Sequence, residues 1–255
     1  MTPDWQRLFP DRDHRPAMGL RRGEAGAFWQ DWDARGSLAR QRQHWLEESP
    51  SLYAASLAEA EVALAEARAW RLRFSDQPEP DWVLLAAPEE RSPLKVIAGE
   101  VVFPSAWSLP EKLGQSLPEV HGPVPDLETK LGSSIATFFQ KLEPGPLWLR
   151  ENWGLAADAE LDHHPSRQRP RLGPEATLDT TWLRLEHQCL LRLPESRAVL
   201  FGIRITCHRL SDIAALPGLA PRLHRSLSSM TSSMAAYKAL TAALPALLAE
   251  LEARP

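Results

Sequence analysis

Apolar and polar residues change their spacing several times along the chain. Residues 53–72, "YAASLAEAEVALAEARAWRL", are rich in Ala, Leu and Glu and contain no Gly or Pro, which predicts one long helix. Residues 26–47 predict an earlier helix. Short branched apolar runs follow at "DWVLLAA" and "LKVIAGEVVFP", and the turn-like "PEERSP" separates them. These runs predict an antiparallel strand pair.

A further helix is predicted at "DLETKLGSSIATFFQKL", where Asp126 is suited to cap the N-terminus. Its apolar residues recur at helical spacing, which predicts one buried face. They are Leu127, Leu131, Ile135, Phe138, Phe139 and Leu142.

Three more strands are predicted at "GPLWLRENWGL", "TWLRLEHQCLLRL" and "AVLFGIRITCH", and "PESR" joins the last two. From about residue 219 the tail is predicted to be helical until Pro245 interrupts it. This order predicts an α+β fold, with a five-stranded antiparallel sheet and helices grouped on one side and at both ends. We predict a helical N-terminal extension at residues 1–80, a core at 81–210 and C-terminal helices at 211–255 that pack on the core.

Charge and composition exclude several classes of function. Acidic residues outnumber basic ones 33 to 29, so neither nucleic acid nor an anionic membrane is an expected partner. The N-terminus lacks the apolar stretch of a secretory signal, and we expect a soluble cytoplasmic protein. Cys189 and Cys207 lack metal-site spacing and fit a reducing compartment. No glycine-rich phosphate motif or nucleophile elbow is found, which disfavours nucleotide hydrolysis and serine-hydrolase chemistry.

The final predicted hairpin carries polar residues on both faces. One face has Arg184, Glu186 and Gln188. On the other face His187 interrupts an apolar row, and a short "PESR" loop that sets Leu193 opposite Ala198 also sets His187 opposite Arg204. Two such polar groups need partners when buried. A bound ligand, a structural pair or a solvent-accessible face would each satisfy them.

Two histidine-containing segments are candidate sites. In "KLGQSLPEVHGPVPDLETKLG" the prolines predict a stiff loop that presents His121. Its imidazole could pack on proline or bind a metal or haem iron. Asp162, His163 and His164 are clustered without the spacing of a helical metal site, which predicts a solvated loop.

Four blocks occur in order along the chain: "VVFPSAWSLPEKLGQSLPEVHGPVP", "RENWGL", "LRLEHQCLLRLPESRAVLFGIRI" and "YKAL". Together they resemble the haem-binding alpha subunit family of haem-dependent oxidative N-demethylases. Towards the N-terminus only "FWQDWDARGSLARQRQHWLEE" is similar. The resemblance implies a PAS-type sheet with helices on one face and haem b in residues 81–210. It also implies an oxidoreductase that converts a small secondary amine, such as dimethylamine, and O2 to a primary amine and formaldehyde. Electrons would come from NADPH through separate flavin and iron–sulfur subunits.

The resemblance also implies roles for individual residues. His121 would be the proximal iron ligand, and His187 and Arg204 would lie near the bound gas or a haem propionate. Glu186 would contact the amine directly or support a residue that does. Weaker candidates for contacts with the cofactor or substrate are Arg150, Asn152, Arg184, Gln188 and Tyr237.

The chain departs from the family at one position of this motif, because it has Glu186, His187 and Gln188 where the family usually has Glu-Arg-Gln. Histidine is shorter than arginine and can be neutral at pH 7, so we expect oxygen polarisation, substrate choice or activity to differ. Two other classes stay open. They are a haem-based gas or redox sensor without turnover, and a haem-free ligand-binding scaffold.

Overall fold

The structure is a computed structural model that describes residues 3–89 and 92–254. In these residues the α-helices α1 to α12 are Trp5–Leu8, Ala25–Trp29, Ser37–Glu48, Pro50–Tyr53, Glu61–Arg71, Leu109–Lys112, Leu117–His121, Leu127–Lys141, Leu210–Ala214, Leu219–Ser228, Ser232–Tyr237 and Leu244–Glu252. The strands β1 to β7 are Arg21–Gly23, Ala54–Ser56, Asp81–Ala86, Lys95–Glu100, Leu147–Ala156, Trp182–Arg192 and Val199–Arg209. Short 3₁₀ helices lie at Ala58–Ala60 and Pro165–Arg167. None of the described helices is long and apolar enough to cross a membrane.

The fold is α+β, as predicted, with one antiparallel sheet of seven strands rather than five. The strand order is β1-β5-β6-β7-β3-β4-β2. The five predicted strands are the five longer ones, and the three-residue strands β1 and β2 extend the two edges. The predicted register of the last hairpin is confirmed, because Leu193 N donates to Ala198 O at 2.8 Å and His187 lies opposite Arg204. The predicted turn at 88–93 falls partly outside the described residues.

The two N-terminal helix predictions are wrong in their extent. Helix α5 begins only at Glu61, because Ala54–Ser56 pairs with β4 as an edge strand. Within 26–47 the helix is broken, and Gly36 takes the left-handed conformation immediately before α3. Local propensity is a weak prior, and strand pairing in the folded chain overrides it at 54–56.

The predicted break at Pro245 is also wrong. Pro245 lies in the first turn of α12, where the missing N–H of proline costs no intrahelical hydrogen bond. The tail is interrupted earlier. Thr231 caps α11 by accepting a hydrogen bond from Met234 N at 3.2 Å, and α11 ends at Tyr237.

The sheet separates two sets of side chains, because successive residues of a strand point to opposite faces. On one face Leu183 and Leu185 pack with the C-terminal helices, and Cys189 and Leu191 pack with α2 and α5. We call this the terminal face. On the other face Leu190 packs with residues of α7 and α8, and we call it the α8 face. Helices therefore cover both faces, not one as predicted.

Arg204 holds the N-terminal segment against the terminal face. It is 5% exposed and donates to Phe28 O at 2.7 Å, to Gln30 O and to the Glu79 carboxylate. Glu79 in turn accepts from the backbone N–H groups of residues 32 and 33, each at 2.9 Å. The Arg204 guanidinium and the Glu79 carboxylate thus hold the backbone of residues 28–33 against the terminal face.

His187 is also buried on the terminal face. Its Nε2 lies 3.0 Å from Thr206 Oγ1, and its ring meets Trp32 edge to face at 5.2 Å between centroids. Burial is the main cause that lowers the pKa of His187 to about 4. The imidazole is therefore neutral at pH 7.

Replacement of Arg204 by Met should destabilise the protein by about 3–5 kcal/mol, because it leaves the Glu79 carboxylate buried without its counter-charge. Chemical denaturation measures this loss. In the double variant Arg204→Met/Glu79→Gln part of the loss should be recovered. Arg225→Met, at an exposed arginine paired with Asp11 and Asp13, is the matched control and should barely move the midpoint. If Arg204→Met behaves like that control, the anchoring role is refuted.

Stability should fall as the pH drops from about 6.5 to 4. In this window the unfolded chain binds a proton at residue 187 that the folded chain does not, so folding is progressively opposed, by on the order of 3 kcal/mol at most. His187→Gln should flatten this part of the stability curve, measured by denaturation at several pH values. His44→Gln, at an exposed histidine, should not. An unchanged slope in His187→Gln would contradict the burial argument.

Candidate functional site

A short capped helix positions His121. Ser116 Oγ accepts from Glu119 N at 3.5 Å, and the Glu119 carboxylate accepts from Ser116 N at 2.7 Å. Pro118 lies in the first turn, where proline is well tolerated. His121 is thus the last residue of α7 and does not stand in a loop, as the prolines had suggested. The capping-box sequence "SLPE" was the local signal for this helix.

The chain turns sharply between α7 and α8. Val124 N donates to His121 O at 2.8 Å, and Asp126 takes a left-handed conformation with φ of 59°. Asp126 precedes α8 as predicted, but its carboxylate accepts from the Lys130 ammonium at 2.9 Å and caps no backbone N–H. The turn places His121 beside the start of α8.

The two halves of α8 differ in how their apolar residues are covered. Phe138 and Phe139 pack on the α8 face, and the Phe138 ring meets Trp148 edge to face at 5.6 Å. The apolar residues of the first half are half-buried and belong to none of the buried clusters of the described chain. They are Leu127, Leu131 and Ile135. The part of α8 nearest His121 therefore presents apolar surface that the core does not use.

Polar side chains line the α8 face on β5 and β6. Asn152 lies opposite Glu186, and Arg150 lies opposite Gln188. The two amides donate to the same oxygen, Glu186 Oε2, at 3.2 Å from Asn152 and 2.8 Å from Gln188. Two residues further along β5, Gly154 has no heavy atom within 4 Å of the place where a Cβ would stand. The carboxylate is thus oriented by neutral donors, and space is open beside it.

Arg150 is a cation without a partner. Its Nε is buried without a hydrogen bond, and it forms no ion pair within 4.0 Å among the described residues. Burial and then the positive charge of Arg150 lower the pKa of His121. The His121 ring itself is half-buried and has no hydrogen-bond partner in the described chain. At pH 7 it is a neutral imidazole with a free lone pair.

A lysine that sequence reasoning missed lies at the edge of β5. Strand β1 pairs only with residues 147–149, so the later part of β5 has no strand neighbour there among the described residues. At this edge Lys238 Nζ donates to Trp153 O at 2.6 Å. Burial lowers the pKa of Lys238 to about 8, and Glu186 acts on it in the opposite direction. The adjacent predicted candidate, Tyr237, is exposed.

Arg184 lies on the α8 face, and the protein itself accepts most of its hydrogen bonds. Its guanidinium donates to five oxygens, which belong to Ser105 Oγ and to the carbonyls of Phe103, Pro104, Glu160 and Leu161. Arg184 therefore ties two loops to the sheet, and most of its N–H donors are used within the chain.

His187 and Arg204 are not brought together with His121. Both lie on the terminal face, and their polar groups are satisfied by Thr206 and by the N-terminal segment. His187, the residue that departs from the Glu-Arg-Gln pattern, therefore packs against Trp32. Glu186 and Gln188 on either side of it point to the α8 face.

The prediction of a solvated loop at Asp162, His163 and His164 is wrong. Asp162 and His164 are buried, and Asp162 accepts from Tyr53 Oη at 2.5 Å and from Arg167 Nε at 2.7 Å. Tyr53 lies more than 100 residues away in sequence, so no local pattern announces the cluster. In residues 3–89 and 92–254 no group of three His, Cys, Asp or Glu side chains could hold a metal ion.

Comparison with protein families adds an independent observation. The model of the family described as haem-dependent oxidative N-demethylase, alpha subunit-like, matches residues 71–248. The match covers well over half of the chain and includes α7, α8, the five longer strands and Lys238. The chain therefore belongs to the haem-dependent oxidative N-demethylase alpha subunit-like family.

Proposed function

We propose that this protein binds haem b through His121 and uses O2 to demethylate a small secondary amine. Electrons would come from separate NADPH-dependent flavin and iron–sulfur subunits. Family membership supports the class of reaction. The observation that carries the site is a neutral, unpartnered imidazole at the end of α7, beside the uncovered apolar half of α8. Free thiols at Cys189 and Cys207 fit a cytoplasmic location.

The residues of the α8 face fit a haem. Haem iron needs few ligands from the protein, so a single histidine such as His121 would suffice to hold it. A flat apolar ring needs apolar walls, and Leu127, Leu131 and Ile135 offer one. The open space beside Gly154 offers room on the sheet. Haem propionates are stabilised by cations, and Arg150 is a half-buried cation without a counter-ion among the described residues.

We further propose that β3 to β7 form the PAS-type sheet that the resemblance implies. These five strands are contiguous in the sheet, and α6 to α8 lie between its second and third strands along the chain. In this proposal residues 81–210 are the haem-binding core, and residues 1–80 and 211–255 are helical extensions.

Bound haem would supply the activation of O2 and the acceptance of electrons. The chain's own part begins with His121, whose neutral ring can offer its lone pair to the iron. Glu186 Oε2 is already occupied by two amides, so Oε1 is the free acceptor for the N–H of a protonated amine. The same oxygen can take the proton that must leave the nitrogen before its lone pair becomes available for oxidation. Asn152 and Gln188 hold the carboxylate in place meanwhile.

His121→Ala should abolish binding of haem iron, because no other described side chain on this face offers an unpartnered imidazole. The measurement is the Soret band of apoprotein titrated with haem. Added imidazole should restore an imidazole-ligated spectrum, and His44→Ala should behave like the wild type. A His121→Ala variant with an unaltered spectrum would refute the assignment.

Glu186→Gln should weaken the binding of a secondary amine roughly ten- to hundredfold, the size of a hydrogen bond to a charged group. Haem affinity should stay unchanged. Amine binding is followed through the change in the haem spectrum, with Glu59→Gln, at an exposed carboxylate, as the control. Equal amine affinity in Glu186→Gln and wild type would remove Glu186 from the site.

Oxygen consumption separates the proposed enzyme from the two other classes. A demethylase with reductase present consumes O2 faster when a methylated amine is added and releases formaldehyde. A gas or redox sensor binds haem but is indifferent to every such amine. A haem-free scaffold gives no Soret band after reconstitution.

A further inference from the structure

We propose that Lys238 binds one of the two haem propionates, with Arg150 as the cation for the other. This inference rests on the proposed haem site and adds a residue to it. It concerns the later part of β5, which no strand covers on its outer edge among the described residues.

Lys238 is a cation that the described chain leaves largely unsatisfied. Its ammonium has three N–H donors, and one of them reaches Trp153 O at 2.6 Å. The ammonium also lies 4.9 Å from the centroid of the Trp153 ring, which is a favourable but weak contact. Among the described residues no carboxylate lies within 4.0 Å of it. Burial disfavours such an unpaired charge, as the lowered pKa of about 8 reflects, and an anionic ligand would relieve the cost.

Both unpaired cations lie along strand β5. Arg150 extends from β5 itself, and Lys238 is hydrogen-bonded to β5 three residues further along, at Trp153. The negative charge of Glu186 acts on the pKa of both residues, against the effect of burial, but neither forms an ion pair with Glu186. Haem carries two propionates on the same edge of the ring, so two cations along one edge of the pocket match its charge.

The charges around Lys238 favour an anion over the amine substrate as its partner. The acidic group that acts on it is Glu186. Burial lowers the pKa of His14, and the positive charges of Lys238 and Lys130 lower it further. A protonated amine would be repelled by the ammonium. A carboxylate would be attracted by it and could accept its free N–H groups.

The test is a spectroscopic titration of apoprotein with haem and with haem dimethyl ester, in which the propionate charges are removed. The variants are Lys238→Met and Lys238→Arg, and the control is Lys95→Met, at an exposed lysine on β4 near the opposite edge of the sheet. We expect Lys238→Met to bind haem roughly tenfold more weakly, the effect of one charge-assisted hydrogen bond. Lys238→Arg and Lys95→Met should stay within about twofold of the wild type. All four proteins should bind the dimethyl ester equally.

The two titrations separate a role of Lys238 in propionate binding from a role in the fold, and both from failure of the haem site. Equal haem affinity in Lys238→Met and wild type would overturn the inference while the haem site stands. An equal loss for haem and its dimethyl ester would also overturn it, because Lys238 would then support the fold and not a propionate. If the wild type binds neither ligand, the proposed function fails together with the inference.

Discussion

The alternation of side chains on β6 is the constraint on which the rest of the structure depends. Because it repeats every two residues, a slip of one residue would move Glu186 and Gln188 to the terminal face and His187 to the α8 face. The turn at Leu193 and Ala198 fixes the register with β7. The Arg204–Glu79 ion pair helps to hold the N-terminal segment over the terminal face. The other face is left for α7 and α8.

The arginines and lysines of this molecule differ in how far the protein itself satisfies them. Arg204 and Arg184 donate hydrogen bonds to backbone carbonyls and anchor other segments to the sheet. Arg150 and Lys238 keep donors free, although burial lowers the pKa of both. A cation that is partly removed from water without a counter-charge is costly. Arg150 lies on the α8 face, and Lys238 lies at the edge of β5.

The sequence was most informative where structure is local. The alternating pattern of β6 and β7 and the short loop between them were enough to predict the pairing of His187 with Arg204. Prediction from the sequence failed where contacts with distant segments of the chain determine the local structure. Nothing near Arg204 shows that the carbonyls of Phe28 and Gln30 will cover it, and nothing near Ala54 shows that β4 will capture it as an edge strand. For His121 the capping box was visible, but the prolines around it suggested a loop.

The position of His187 changes the meaning of the family departure. On the sequence alone, histidine in place of arginine suggested an altered oxygen site. In the structure that residue packs against Trp32 on the terminal face, whereas the neighbouring Glu186 and Gln188 lie on the α8 face together with Asn152. In this account the departure affects how the N-terminal segment packs and leaves Glu186, the carboxylate that we propose binds the amine, in place.

The most direct measurement is a crystallographic anomalous-difference map at the iron edge, from crystals grown with haem. The account predicts a single iron peak on the α8 face, within bonding distance of a His121 ring nitrogen. An iron peak on the terminal face beside His187, or one bound by any residue other than His121, would contradict it.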